Sequence, residues 1–254
     1  MKKVFFRSFV LGMALAVMMP AFSAYAGDMI PIDLNGVSEA SGSDAWKLTE
    51  NVLEISRPGE YLISGKLEQG QILVDCLETG RVTLYLNGVE IHNAEGPAIR
   101  IGECSPRAVI SLVEGSSNFL SNGTQLRLED GDEPDGVIFS RSDLTLEGSG
   151  RIEVRAGALN GIVSKDDLKI EGGELDIEAP KHGIKGKDCV EISGGRILIR
   201  AGRDGIKATN QNDPSRGYLE ISGGEIEISC GDDALSFVTS CSITGGKIHL
   251  TVSR

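Results

Sequence analysis

The residues best placed to do chemistry are oxygen donors beside a recurring glycine. Asn160, His182, Asp204 and Asp233 each stand one residue before it or its equivalent, and Asp166, Asp188, Asn210 and Thr239 stand five residues after it. Asp135, Asp167, Asn212, Asp213 and Asp232 are expected near the two rows that stacking makes of these residues. Stacked at the roughly 4.8 Å spacing of neighbouring strands, unneutralised carboxylates repel one another, and a hard divalent cation relieves that repulsion. Calcium takes about six to eight oxygens, including backbone carbonyls from tight turns. Asp188, Asp204, Asn210, Asp166, Asp167, Asn160, Asp232 and Asp233 are therefore the candidate metal ligands, with calcium (Ca2+) the expected cofactor. The competing reading is that Asp and Asn cap turns by accepting backbone N–H groups, as Asp-Gly does routinely.

Lysines run along the same groove and are candidate substrate contacts: Lys165 aligns with Lys187, and Lys185 with Lys207. Ammonium groups beside carboxylate-bridging calcium would suit an acidic polysaccharide; alternatively, each lysine neutralises its neighbouring acid. Trp46 is the only tryptophan, and outside the first 26 residues only Tyr61, Tyr85 and Tyr218 could stack on sugars. A flat aromatic strip for neutral glycan thus has little support. No catalytic residue is assigned. His92, His182 and His249 fall in different registers, and no serine or cysteine comes with a companion histidine by motif. The carboxylates stand in rows of one repeat type rather than as a pair with opposed environments. A calcium-dependent polysaccharide lyase needs only calcium and one base, so Lys185, Lys187 or Lys207 keeps that alternative open.

These side chains must be positioned by a repeat. Gly161, Gly183 and Gly205 are 22 residues apart, and a fourth copy begins at Ala234-Leu235 after an insertion, Gln211 to Gly217. Within each unit apolar residues alternate with period two around a Gly-Gly pair: Leu168, Ile170, Leu175, Ile177, Ala179; Val190, Ile192, Ile197, Ile199, Ala201; Leu219, Ile221, Ile226, Ile228, Cys230. Period two with glycine turns predicts short strands with one buried and one wet face. A unit of this length suits one coil of a parallel β-helix, whose stacked units bury a common core. Outward residues then stack by sign. Arg151, Glu174, Arg196, Glu225 and Lys247 alternate strictly, as do Arg155, Glu178 and Arg200, marking that face as structural. The expected fold is a right-handed single-stranded parallel β-helix over residues 51–254, capped by 27–50, with a polar acidic loop from Asn118 to Pro134.

Residues 1–26 read as a cleaved signal peptide. Lys2, Lys3 and Arg7 form a basic start, Phe9 to Met19 an apolar stretch, and Ala24-Tyr25-Ala26 a cleavage site. The mature chain is expected to be secreted, at the cell surface or periplasmic. Removing those three cations leaves 22 basic residues against 37 acids, a net charge of −15. That balance argues against nucleic acid and anionic membranes as partners. The five cysteines match no zinc spacing; Cys230 and Cys241 fall at apolar repeat positions and read as buried thiols.

The sequence resembles bacterial, exported, calcium-binding carbohydrate-binding proteins with a polysaccharide-lyase-like parallel β-helix. The resemblance rests on Leu84–Val89, Gly96–Ile99, Gly161–Leu168, His182–Asp188 and Asp204–Asn210. It implies non-catalytic binding of a plant-type polysaccharide, pectin-like or cellulose-like, with calcium at aspartate turns. His182 stands where that family usually carries Asp, and Cys189 where a serine or second aspartate is common. A structural surface or adhesion protein without sugar affinity is the third reading. The sharpest expectation is that Asp188, Asp204 and Asn210 converge on one turn region and share one calcium.

Overall fold

A computed structural model describes residues 29–35, 41–129 and 133–253; the expected signal peptide lies outside the described residues. Every regular element described is a β-strand, and the strands form a fifteen-stranded and a ten-stranded sheet, parallel except at one end. No described helix is long and apolar enough to cross a membrane.

The repeat sets the register. In the ten-stranded sheet Ile162 of Asn160–Ser164 pairs with Ile184 of Ile184–Gly186, and Ile184 with Ile206 of Ile206–Ala208, each 22 residues on. The fifteen-stranded sheet has two arms that meet at the long strand Val82–Asn93, which pairs with Ala108–Leu112 on one side and Ser117–Asn122 on the other. Each unit contributes one strand to either arm and one to the ten-stranded sheet. Inward residues stack into apolar columns between these three faces: Ile162, Ile184 and Ile206 are at most 1% exposed. Burying one such side chain contributes about 1.5–3 kcal/mol, so the columns hold the rungs in line.

Two glycine positions are fixed for different reasons. The second glycine of each pair, Gly173, Gly195, Gly224 and Gly246, has φ between +89° and +91°, a left-handed turn disfavoured with a Cβ. The repeat glycine is needed for space. A Cβ on Gly161 would lie 2.6 Å from Ile177 Cγ2, and one on Gly183 or Gly205 would run into Ile199 or Ile228.

The charge rows stack as their signs require. Arg151, Glu174, Arg196, Glu225 and Lys247 are successive register partners. Arg151 reaches Glu174 at 2.6 Å and Lys247 reaches Glu225 at 2.8 Å. The strongest node is Asp176, one row in, which takes Arg155 at 3.1 Å and Arg200 at 2.7 Å. A groove of about 560 Å³ runs over this face.

Two stretches depart from the sequence reading. Within the expected 118–134 loop, Ser117–Asn122 is a strand paired with both Val82–Asn93 and Arg151–Arg155. Its alternation is hidden because Asn118 occupies a buried position and Phe119 an exposed one. Asn118 Oδ1 accepts the N–H groups of Gly88 and Val89 at 3.0 and 2.9 Å, satisfying a bulged backbone. Strands also occur in the 27–50 region. Ile30–Asp33 pairs in parallel with Gly59–Leu67, while Ser41–Gly42, Trp46–Leu48 and Val52–Ile55 form an antiparallel end to the ten-stranded sheet.

Candidate functional site

The turn residues sit at the two ends of the strands of the ten-stranded sheet. At the entering end the backbone N–H groups of Asn160, Gly161, Gly183 and Gly205 donate in turn to the carbonyls of Asp135, His182, Asp204 and Asp233. These bonds stack Asp135, Asn160, His182, Asp204 and Asp233 into one column. Side chains link it further. Asn160 Nδ2 donates to Asp135 Oδ2 at 2.8 Å, and Asn160 Oδ1 accepts the His182 N–H at 3.2 Å. His182 Nδ1 lies 3.3 Å from the Asp204 N–H, and Asp204 Oδ1 accepts the Asp233 N–H at 3.1 Å. The first four are at most 6% exposed. Burial lowers the His182 imidazole to about 4 despite the neighbouring Asp204 charge. The neutral ring therefore accepts through Nδ1, and the 3.3 Å approach of Asp204 Oδ2 is a contact rather than an ion pair. Asn160 and His182 thus hold one coil to the next.

At the leaving end stand Asp166, Asp188 and Asn210. Asp188 is 3% exposed. It takes Asn210 Nδ2 at 2.5 Å and Arg216 from the insertion, while Asn210 Oδ1 accepts the N–H groups of Asn212 and Asp213. This pair anchors the insertion. The expected convergence of Asp188, Asp204 and Asn210 does not occur. Asp204 precedes the strand Ile206–Ala208 and Asn210 follows it, so about six extended residues, of the order of 20 Å, separate them. Stacking does place Asn210 over Asp188, but both belong to the opposite end of the sheet from Asp204.

Among the described residues two carboxylate clusters remain whose ligand atoms lie within 4.8 Å of one another: Asp204, Asp232 and Asp233, and Asp143, Asp166 and Asp167. Asp143 was missed, although it is legible. It precedes Leu144, the register partner of Leu168, and so stacks under Asp167, whose N–H donates to its Oδ1 at 3.2 Å. The clusters differ in how their charge is met. Burial raises Asp204, but Lys207 Nζ at 2.5 Å from Oδ2 and the Asp233 N–H outweigh it and hold this carboxyl low. Asp166 is raised by burial and then by the charges of Asp143 and Asp167; Asp143 is likewise raised, chiefly by burial. Arg216, 3.5 Å from Asp166, offsets only part of this.

The lysines divide in the same way. Lys185 and Lys207 are register partners facing outward, Lys185 reaching Asp135 at 2.8 Å and Lys207 reaching Asp204. Lys165 pairs with Glu133. Lys187 is exposed and, among the described residues, makes no ion pair, although its charge is felt at Asp166. Three of the four are therefore neutralised by neighbouring acids. The acid clusters flank the ten-stranded sheet at opposite strand ends, with the Lys185–Lys207 column between them.

The chain has relatives of known family and fold. The profile of the carbohydrate-binding domain-containing protein family matches residues 49–254, and the chain belongs to that family. A carbohydrate-binding domain-containing protein of Acetivibrio thermocellus is 42% identical over 220 residues, covering 86% of this chain and 77% of that one. A solved polysaccharide lyase-like protein from C. thermocellum, a gadolinium derivative, superposes with a TM-score of 0.76 at 35% identity, covering 89% of this chain and 96% of its own.

Proposed function

We propose that the chain binds a polysaccharide without cleaving it, and that calcium held at its aspartate clusters assists. The observation that carries this reading is the family match across 49–254. The ligand proposed is an acidic pectin-like or a cellulose-like glycan, met outside the cytoplasm on a right-handed coil of about 22 residues, the hand that parallel crossovers favour. Asp143, Asp166 and Asp167 are the first-choice cation ligands. They are three close carboxylates with no lysine hydrogen-bonded among them, and burial holds Asp143 and Asp166 above the usual carboxylate range, a donor set that suits a hard oxygen-seeking ion. Asp204, Asp232 and Asp233 come second, because Lys207 already meets the Asp204 charge. Bound calcium would supply a point of attachment for a glycan carboxylate. Lys187 is placed to meet a second carboxylate, and Lys185 and Lys207 orient the chain by exchanging their acid partners for it. The test is affinity electrophoresis through polygalacturonate and through soluble cellulose derivatives, with calcium and with chelator. Retardation that chelator abolishes is expected; free migration in every gel would favour an adhesion or structural role.

A lyase is the second reading, favoured by the solved neighbour's description and by Lys207 lying beside an acid cluster. There Lys207, once neutral, would take the proton next to a uronate carboxylate. Absorbance of unsaturated uronate product separates the two readings, and we expect none.

A further inference from the structure

We infer that Cys76 and Cys104 are a redox pair that closes into a disulfide between neighbouring rungs. They are register partners and the last residues of Gln71–Cys76 and Ile99–Cys104. Adjacent strands run about 4.8 Å apart, within the roughly 4.4–6.8 Å separation of Cα atoms that disulfides use. Both side chains turn into the core, 1% and 5% exposed. The register shifts between Val74 and Cys76, and an irregularity of that kind bends and twists a strand locally. The pair therefore sits where the ladder is least constrained and the Cβ atoms can draw together.

Among the described residues no other cysteine has a cysteine opposite it. Cys189 faces Asp167 and Tyr218, Cys230 faces Ala201 and Val252, and Cys241 faces Leu219. Access exists as well: a depression of about 370 Å³ is lined by Cys76 and Cys104 together with Leu77, which is 85% exposed. Both thiols are free in this structure. Burial pushes Cys104 up to about 11 and raises Cys76 too, so both are protonated and slow to react at neutral pH.

The step needs an oxidant, and a small-molecule disulfide supplies it. The Cys104 thiolate attacks one sulfur of that disulfide and releases a small thiolate, which takes up a proton. The Cys76 thiolate then attacks Cys104 Sγ in the mixed disulfide and releases the second small thiol. The two cysteines lose two electrons and two protons in all, and the small disulfide gains them. The bridge closes a loop of moderate length and so narrows the unfolded ensemble.

The test is to incubate the folded, purified chain with oxidised glutathione, block free thiols, and map tryptic peptides without reduction. The expected product links peptide 67–81 to peptide 101–107, which carry Cys76 and Cys104. Its intact mass should fall by two hydrogens, and its thermal midpoint should lie above that of the reduced protein. Cys104→Ser should leave no linked peptide. Retention of all five thiols, a stable glutathione adduct, or a link through Cys189, Cys230 or Cys241 would overturn the inference. None of these outcomes depends on whether the chain binds glycan.

Discussion

Lys207 Nζ lies 2.5 Å from Asp204 Oδ2, so the most buried carboxylate of one acid cluster already has its counter-ion within the chain. Replacing the lysine should expose that charge to solution cations. In Lys207→Met, calcium affinity at the Asp204, Asp232 and Asp233 cluster should rise about tenfold or more, the effect of about one close charge contact. Isothermal titration of variant and parent checks this, and unchanged binding would show that the cluster takes no cation.

The cluster at Asp143, Asp166 and Asp167 should behave in the opposite sense. Asp166→Asn should weaken calcium binding by at least about tenfold and remove most of the calcium-dependent rise in thermal midpoint, since a ligand bound only by the folded state stabilises it by mass action. Thermal scans across a calcium series provide the measurement.

Asp188 should matter for folding rather than for calcium. Its carboxylate is buried against Asn210 and Arg216. Asp188→Asn leaves the Arg216 guanidinium without its closest anion and should cost about 3 kcal/mol at most, the low end for breaking a buried pair, because Arg216 is half exposed. Urea unfolding should show that loss, with calcium affinity unchanged.

His182 should make the fold acid-sensitive. Its folded pKa of about 4 lies below the ordinary imidazole value of 6.5, so between those values the unfolded chain binds more protons than the folded one. Stability contributed by the neutral ring is present above pH 6.5 and is lost progressively as pH falls to about 4. The loss amounts to about 3 kcal/mol at most. His182→Asn keeps an acceptor for the Asp204 N–H, as Asn160 does for His182, and should flatten this part of the curve of thermal midpoint against pH.

Gly183→Ala tests the repeat itself. The added methyl meets Ile199 Cγ2 inside the core, and overpacking of this kind costs about 1–3 kcal/mol. An exposed Ser193→Ala change in the same coil should be nearly silent in the same denaturation assay.

Stacking was legible wherever one residue type recurs at one position. Arg151 with Glu174 and Ile184 with Ile206 pair as their spacing requires, because sign and apolarity are properties a row must share. Partners outside the repeat were not legible. Arg216 comes from an insertion that has no equivalent in other coils, so nothing in the spacing ties it to Asp188. Asn118 satisfies a bulged backbone, and its polar side chain at an inward position disguises a strand. For the acid clusters, Asp166 and Asp167 were readable as neighbours. Their third member, Asp143, required carrying the register one coil back, where the spacing between Leu144 and Leu168 is 24 residues. Which aspartates are already neutralised depends on the reach of lysine side chains, which sequence spacing does not encode.

The insertion from Gln211 to Gly217 lengthens one coil, yet Tyr218 returns to stand opposite Cys189. Strand alignment in this protein is therefore indifferent to how much chain lies between rungs. New segments can be spliced in at that corner, as one has been, without retuning the rest of the stack. The corner is thus a natural place for relatives to diverge in specificity, and for an engineer to graft a loop.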